Sequence, residues 1–193
     1  MKTFKSFLPI TGSLLIALCC SAAGSTLFET TTLLTPSDPI QRGRLSRNGI
    51  PQDWANTETF PGIINADVIY HYRTFVLPSV ALAPGRFVQI SLDHLGPVQG
   101  TLFVSVYINS YKPNSAGAPN RGFDKNWIGD IGFSGNTFGV DPQFLEVLVP
   151  VGADLVVVVN NTDPSNVGVG QRFRLLVETF KDVLFTNPVQ QAQ

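Results

Sequence analysis

The sequence predicts an all-β protein: an antiparallel β-sandwich, jelly-roll-like, with about eight or nine strands. Three observations carry that expectation. Short runs alternate apolar and polar residues at period two, and no segment sustains a helical period with caps. In addition, 14 prolines and 17 glycines fall mostly between the runs.

The elements follow in chain order. STLFETTTLLTPSDP is threonine-rich and β-prone before it ends in turn residues, so residues 25–37 read as an edge strand or an N-terminal arm. In DPIQRGRLSRNGIP, a turn leads to a short polar strand over 41–47 and a second turn at Asn48-Gly49. Residues 52–66 keep neither period and read as a loop punctuated by Pro61-Gly62. VIYHYRTFVL then sets Tyr70, Tyr72, Thr74 and Val76 on one side, with His71, Arg73, Phe75 and Leu77 on the other. RFVQISL places Val88, Ile90 and Leu92 on one face, and TLFVSVYIN does the same with Leu102, Val104, Val106 and Ile108. QFLEVLVPVG, DLVVVVNN and QRFRLLVETF complete the series. Residues 156–159 have no polar face, which suits a central strand covered on both sides.

The start of the chain has a different character. Lys2 and Lys5 precede an apolar stretch over 14–20 and the small residues Ser21-Ala22-Ala23-Gly24, the three-part pattern of a secretory signal peptide cut near Ala23. A membrane anchor needs about 20 apolar residues. This core is shorter, and Leu18 stands where a lipoprotein signal would want a small residue before its cysteine. The expected organisation is a signal peptide over 1–24, the arm or edge strand over 25–37, a β-sandwich domain over 38–182 and a polar tail over 183–193. Both cysteines, Cys19 and Cys20, fall in the leader, so the mature chain is expected to be cysteine-free and to fold by hydrophobic burial without a disulfide. Without Lys2 and Lys5, 11 basic residues face 14 acidic ones, a formal charge of -3. That balance argues against nucleic acid as a partner, and no membrane span is expected in the mature chain.

Three stretches, DPIQRGRLSRNGIP (38–51), NWIGDIG (126–132) and VPVGADLVVVVNN (149–161), occur in an order and spacing that resemble a secreted bacterial β-sandwich module, the bacterial pre-peptidase C-terminal domain. The resemblance covers about 38–180 and is supported by the tyrosine-containing strand at Tyr70 to Val76. It implies an exported, non-catalytic accessory or surface module with no catalytic residues to transfer. Members often carry cysteine pairs or sit beside an enzyme or anchor. The mature chain is expected to lack cysteines and to be a lone domain, so its function is not expected to be borrowed from a neighbour.

Catalysis is poorly supplied. An enzyme needs a nucleophile or metal with an acid or base beside it, yet only His71 and His94 are present, with no Gly-x-Ser-x-Gly elbow and no zinc-ligand spacing. His71 reads as a hydrogen-bonded or exposed strand residue, and His94 as a surface residue in a turn. The expectation is therefore no enzyme and no obligate cofactor. Calcium is the cation the loops could take, through Asp124, Asn126 and Asp130 or through Asn160, Asn161 and Asp163, although Asn and Asp also serve turns. The long loop over 111–126, rich in Asn, Gly and Pro, is of the kind that carries binding residues.

Tyr111, Phe123 and Trp127 are the candidate ligand-binding rings, with Trp54, Phe60 and Tyr107 as further aromatics for a sugar platform. The function expected is a secreted extracellular or cell-surface module acting by binding or structural interaction with a protein or polysaccharide. The alternatives are a carbohydrate-binding module using exposed aromatics and a surface protein that self-assembles by adding its N-terminal strand to a neighbour. In KNWIGDIG, Gly129 and Gly132 are spaced for a short strand that bends or bulges, with Trp127 and Ile131 inward. Asp130 is left either to close a turn or to join a loop cation.

Overall fold

The computed structural model describes residues 24–55, 57–82, 87–134 and 142–180. The signal-peptide reading and the polar tail lie outside them. Nine strands form two antiparallel sheets: β1 Ser25–Leu33, β2 Ile40–Leu45, β3 Ile63–Leu77, β4 Phe87–His94, β5 Leu102–Ile108, β6 Trp127–Asp130, β7 Gln143–Leu148, β8 Leu155–Asn161 and β9 Arg172–Phe180. One sheet has the order β1-β9-β4-β7 and the other β2-β3-β8-β5-β6. Pairing is nested, with β1 against β9, β3 against β8, β4 against β7 and β5 against β6. A long antiparallel ribbon rolled upon itself gives this jelly-roll sandwich, with β2 added at one edge. Short 3₁₀ turns at Ser79–Leu82 and Pro119–Gly122 are the helical elements among the described residues.

The period-two faces meet between the sheets. Val88, Ile90 and Leu92 from β4, Leu145 and Val147 from β7, and Phe173, Leu175 and Val177 from β9 face Val104, Val106, Leu155, Val157 and Val159 across one core. β8 is central and buried along its whole length. Its alternate residues, Val156 and Val158, join Tyr107 in a second apolar cluster on the far side of the five-stranded sheet.

Three expectations need correction or completion. Residues 63–66 belong to β3, not to a loop: Ile63 and Ile64 pair with Leu45 and Arg44. A register shift at Gly43, with Asn65 at positive φ, breaks the period-two pattern that would have revealed them. His94 is buried, because β4 extends through it in the inward phase of Val88, Ile90 and Leu92. The N-terminal segment is an edge strand whose inner side pairs with β9 of the same chain, from Ser25 against Thr179 to Leu33 against Arg172. Adding β1 to a neighbour would therefore require exchange of an existing pairing.

At the opposite edge, β6 contains a bulge: Val106 pairs with Gly129 and Tyr107 with Trp127, which leaves Ile128 as the extra residue. Residues 49–52 run alongside it. Gly49 N donates to Gly132 O and Gln52 N to Asp130 O, while Glu146 N donates to Gln52 O at 2.8 Å, so Gln52 staples the edge of one sheet to the other. This close approach needs glycine. A Cβ on Gly129 would lie 2.6 Å from Cγ of Gln52, and one on Gly132, at φ 71°, would collide with the Ile50 backbone.

Candidate functional site

The 110–126 loop leaves β5 through Asn109, which adopts a positive φ and exchanges hydrogen bonds with Asp154 at 2.8 and 3.1 Å. It does not project into solvent. Tyr111 folds back over the outer face of the five-stranded sheet, with ring centroids 4.6 Å from Tyr107, 5.2 Å from Tyr72 and 6.0 Å from Phe123. Its hydroxyl donates to Oε1 of Gln41 on β2 at 2.7 Å. Beyond it, Asn114 clips the β2 edge: its Oδ1 accepts from Arg42 N at 2.6 Å and its Nδ2 donates to Ile40 O at 3.1 Å. The return is closed by Ile108 N donating to Asn126 O at 2.8 Å, and by Asn126 Nδ2 donating to Oγ of Ser110 at 3.1 Å. The result is a loop anchored at both ends and in the middle.

This anchoring decides what the candidate rings can do. Phe123 is 1% exposed and belongs to the main core, so it presents no face to a ligand. Tyr111 is partly buried between both apolar clusters, and burial among Tyr107 and Tyr72 raises its pKa well above the ordinary value. Trp127 also packs against both clusters and meets Phe60 edge-on at 5.6 Å. Tyr107 is fully buried. These rings form the floor of the loop rather than a platform on it, because a loop crossing a sheet face must bury its large apolar side chains downward.

The candidate cation ligands are engaged separately. Asp124 Oδ2 accepts from Asn120 Nδ2 at 3.4 Å, Asn126 binds Ser110, and Asp130 Oδ1 accepts from Gly132 N at 2.8 Å. Asp130 thus closes an Asx turn at the β6 terminus. Its side chain is fully buried, and burial pushes its pKa to about 7, with the Glu58 charge adding to the rise. The Gly132 N–H and the neighbouring Trp127 indole favour the ionised form but are outweighed. Among the described residues, no three His, Cys, Asp or Glu side chains gather as a metal-holding group. Asn161 ties its own turn, with Oδ1 accepting from Asp163 N and Gly168 N and Nδ2 donating to Asp163 O. Asn160 and Thr162 beside it are buried.

The histidines are placed structurally. His71 Nδ1 lies 3.1 Å from Asp38 O. The buried His94 ring has Nε2 3.5 Å from Thr101 Oγ1, and burial holds its pKa below the usual value, so it is neutral at pH 7.

The upper side of the loop forms a polar cleft of about 480 Å³ lined by Ser110, Lys112, Ser115, Lys125 and Asn126. Lys112 and Lys125 are exposed, and among the described residues neither has an ion-pair partner. Two ammonium groups, two hydroxyls and an amide with no carboxylate in the lining suit a ligand that offers anionic oxygens. The lysines belong to neither the aromatic nor the oxygen-ligand set that marks this loop in the sequence. The available signal was a basic residue near each end of the turn-rich KPNSAGAPNRGFDK stretch. No helix among the described residues is long and apolar enough to cross a membrane.

No family model matches the chain, and no curated protein matches it significantly.

Proposed function

We propose that the chain is a secreted, non-catalytic extracellular or cell-surface β-sandwich module that acts by binding, and that the cleft on the 110–126 loop holds its ligand. The observation that carries this reading is the combination of a loop pinned by Tyr111, Asn114 and Asn126 with an open, cationic lining. Pinning reduces the ordering cost of binding, and the ammonium pair selects anionic oxygens such as the carboxylates of an acidic polysaccharide. The leader pattern supports export, and the similarity of the 38–51, 126–132 and 149–161 stretches to the pre-peptidase C-terminal domain supports an accessory role without catalysis.

Calorimetric titration with polygalacturonate provides the test. Binding is expected to weaken with added salt and to fall at least about a hundredfold in Lys112→Ala/Lys125→Ala, two charge-assisted contacts being worth about 1.5–3 kcal/mol each. Equal affinity in the double variant would remove the cleft as the site.

A further inference from the structure

The outer face of the four-stranded sheet carries a second arrangement of rings. Strand register places Phe87 of β4 between Leu148 of β7 and Phe180 of β9, so the three form a row across neighbouring strands. They point outward, because Val88, Val147 and Thr179 are the buried neighbours in the alternation. Trp54 lies against this row, 5.6 Å from Phe87 and 5.4 Å from Phe180 in edge-to-face geometry, and its Nε1 donates to Val88 O at 3.4 Å. One pleat further along, the register gives a polar row of Glu178, Gln89 and Glu146. After it come Ser91 and Phe144, and Phe144 and Leu148 are 49% and 48% exposed.

We infer that the Trp54 end of this face is a second binding surface, for the ring faces of a neutral sugar chain. The chemistry argues for sugar over protein. A standard protein interface uses roughly 20–30 residues a side, far more than this short row. An apolar partner would also have to desolvate the Glu178–Gln89–Glu146 row without satisfying it. A pyranose presents an apolar C–H face to an aromatic ring and hydroxyl donors at its rim, which matches a ring row about 7 Å from carboxylate and amide acceptors, two residues along a strand. The indole is preorganised, since one hydrogen bond and two ring contacts hold it while it stays only partly buried. Glu146 sits in the polar row with its pKa raised by burial and by the charge of Asp53, beside Trp54.

The two tryptophans, Trp54 and Trp127, allow a direct readout. Full-length mature protein is run through native gels containing laminarin, xyloglucan or galactomannan, and indole fluorescence is followed in solution with the same polymers. The expected result is retardation by at least one polymer that weakens tenfold or more in Trp54→Ala and in Leu148→Lys. The latter changes a half-exposed site and spares the core. The fluorescence change should persist in Trp127→Phe and vanish in Trp54→Phe. Retardation by none of the three polymers would overturn the inference. So would retardation unchanged in a folded Leu148→Lys protein, or lost only in Lys112→Ala/Lys125→Ala.

Discussion

On the five-stranded sheet, Tyr72, Tyr107, Val156 and Val158 point away from the sandwich interior and are roofed by Tyr111 of the 110–126 loop. On the four-stranded sheet, Phe87, Phe144, Leu148 and Phe180 also point outward, and among the described residues Trp54 and Gly24 lie against them at the Phe87–Phe180 end. The two faces are similar in apolar content and differ in what covers them. Where the chain supplies its own roof, the apolar side chains become a second core and the polar chemistry moves to the top of the roof. Where only one end is covered among the described residues, Phe144 and Leu148 stay about half exposed.

The sharpest way to break this comparison is to truncate one ring on each face. Tyr111→Ala is expected to cost about 3–5 kcal/mol in urea unfolding, as for other large buried aromatics, whereas Phe144→Ala should stay within about 0.5–1 kcal/mol. Similar losses at the two sites would mean that the covered face is not a core.

A smaller effect is expected at Asp130, at the end of β6. Its folded-state pKa of about 7 stands above the ordinary value of 3.8, so the folded protein binds the extra proton between those limits and stability falls as pH rises through that window. Asp130→Asn keeps an acceptor for Gly132 N and cannot ionise. It should flatten the pH dependence between about pH 4 and 7 and stabilise the protein at pH 8, on the order of 2–4 kcal/mol. Asp38 reports in a different window. Burial alone would raise its pKa, but the Thr35 N–H and the Arg73 guanidinium outweigh that and hold it low, so its contribution is lost only in acid. An unchanged stability profile in Asp130→Asn would count against a buried, proton-holding carboxyl.

The smallest expected effect tests how the roof is fastened. Asn114→Ala removes both hydrogen bonds to the β2 edge and should cost about 1 kcal/mol, with faster hydrogen exchange at the Arg42 amide while β8 amides keep their protection. Uniform acceleration across β8 would show that the clip supports the whole sheet.

Period-two alternation was enough to reveal most strands, and the apolar run over 156–159 announced a strand covered on both sides. NWIGDIG announced its own bend, because two glycines around one buried isoleucine leave few other uses. The start of β3 was hidden because the irregularity at Gly43 and Asn65 breaks the pattern a strand is read by. The burial of His94 turned on how far β4 runs, which its neighbouring turn residues obscured. The candidate rings show the deeper limit: composition identifies Tyr111, Phe123 and Trp127 as loop aromatics but not which side of the loop they take. The Phe180–Phe87–Leu148 row is set by the register of strands far apart in the chain, and the lysine cleft by the path of a loop. The row has no local signature, and the cleft has only the basic residue near each end of residues 112–125.

The pairing of β1 with β9 also has a mechanical consequence. Ser25 sits opposite Thr179, and Gly24 packs against the Phe180 ring, so the two ends of the described chain leave the sandwich side by side. A load applied through both ends would open this ladder one rung at a time, like a zipper, instead of shearing all its hydrogen bonds together. β1 would then be the first element to yield, and with it the edge of the sheet that carries the Trp54 row.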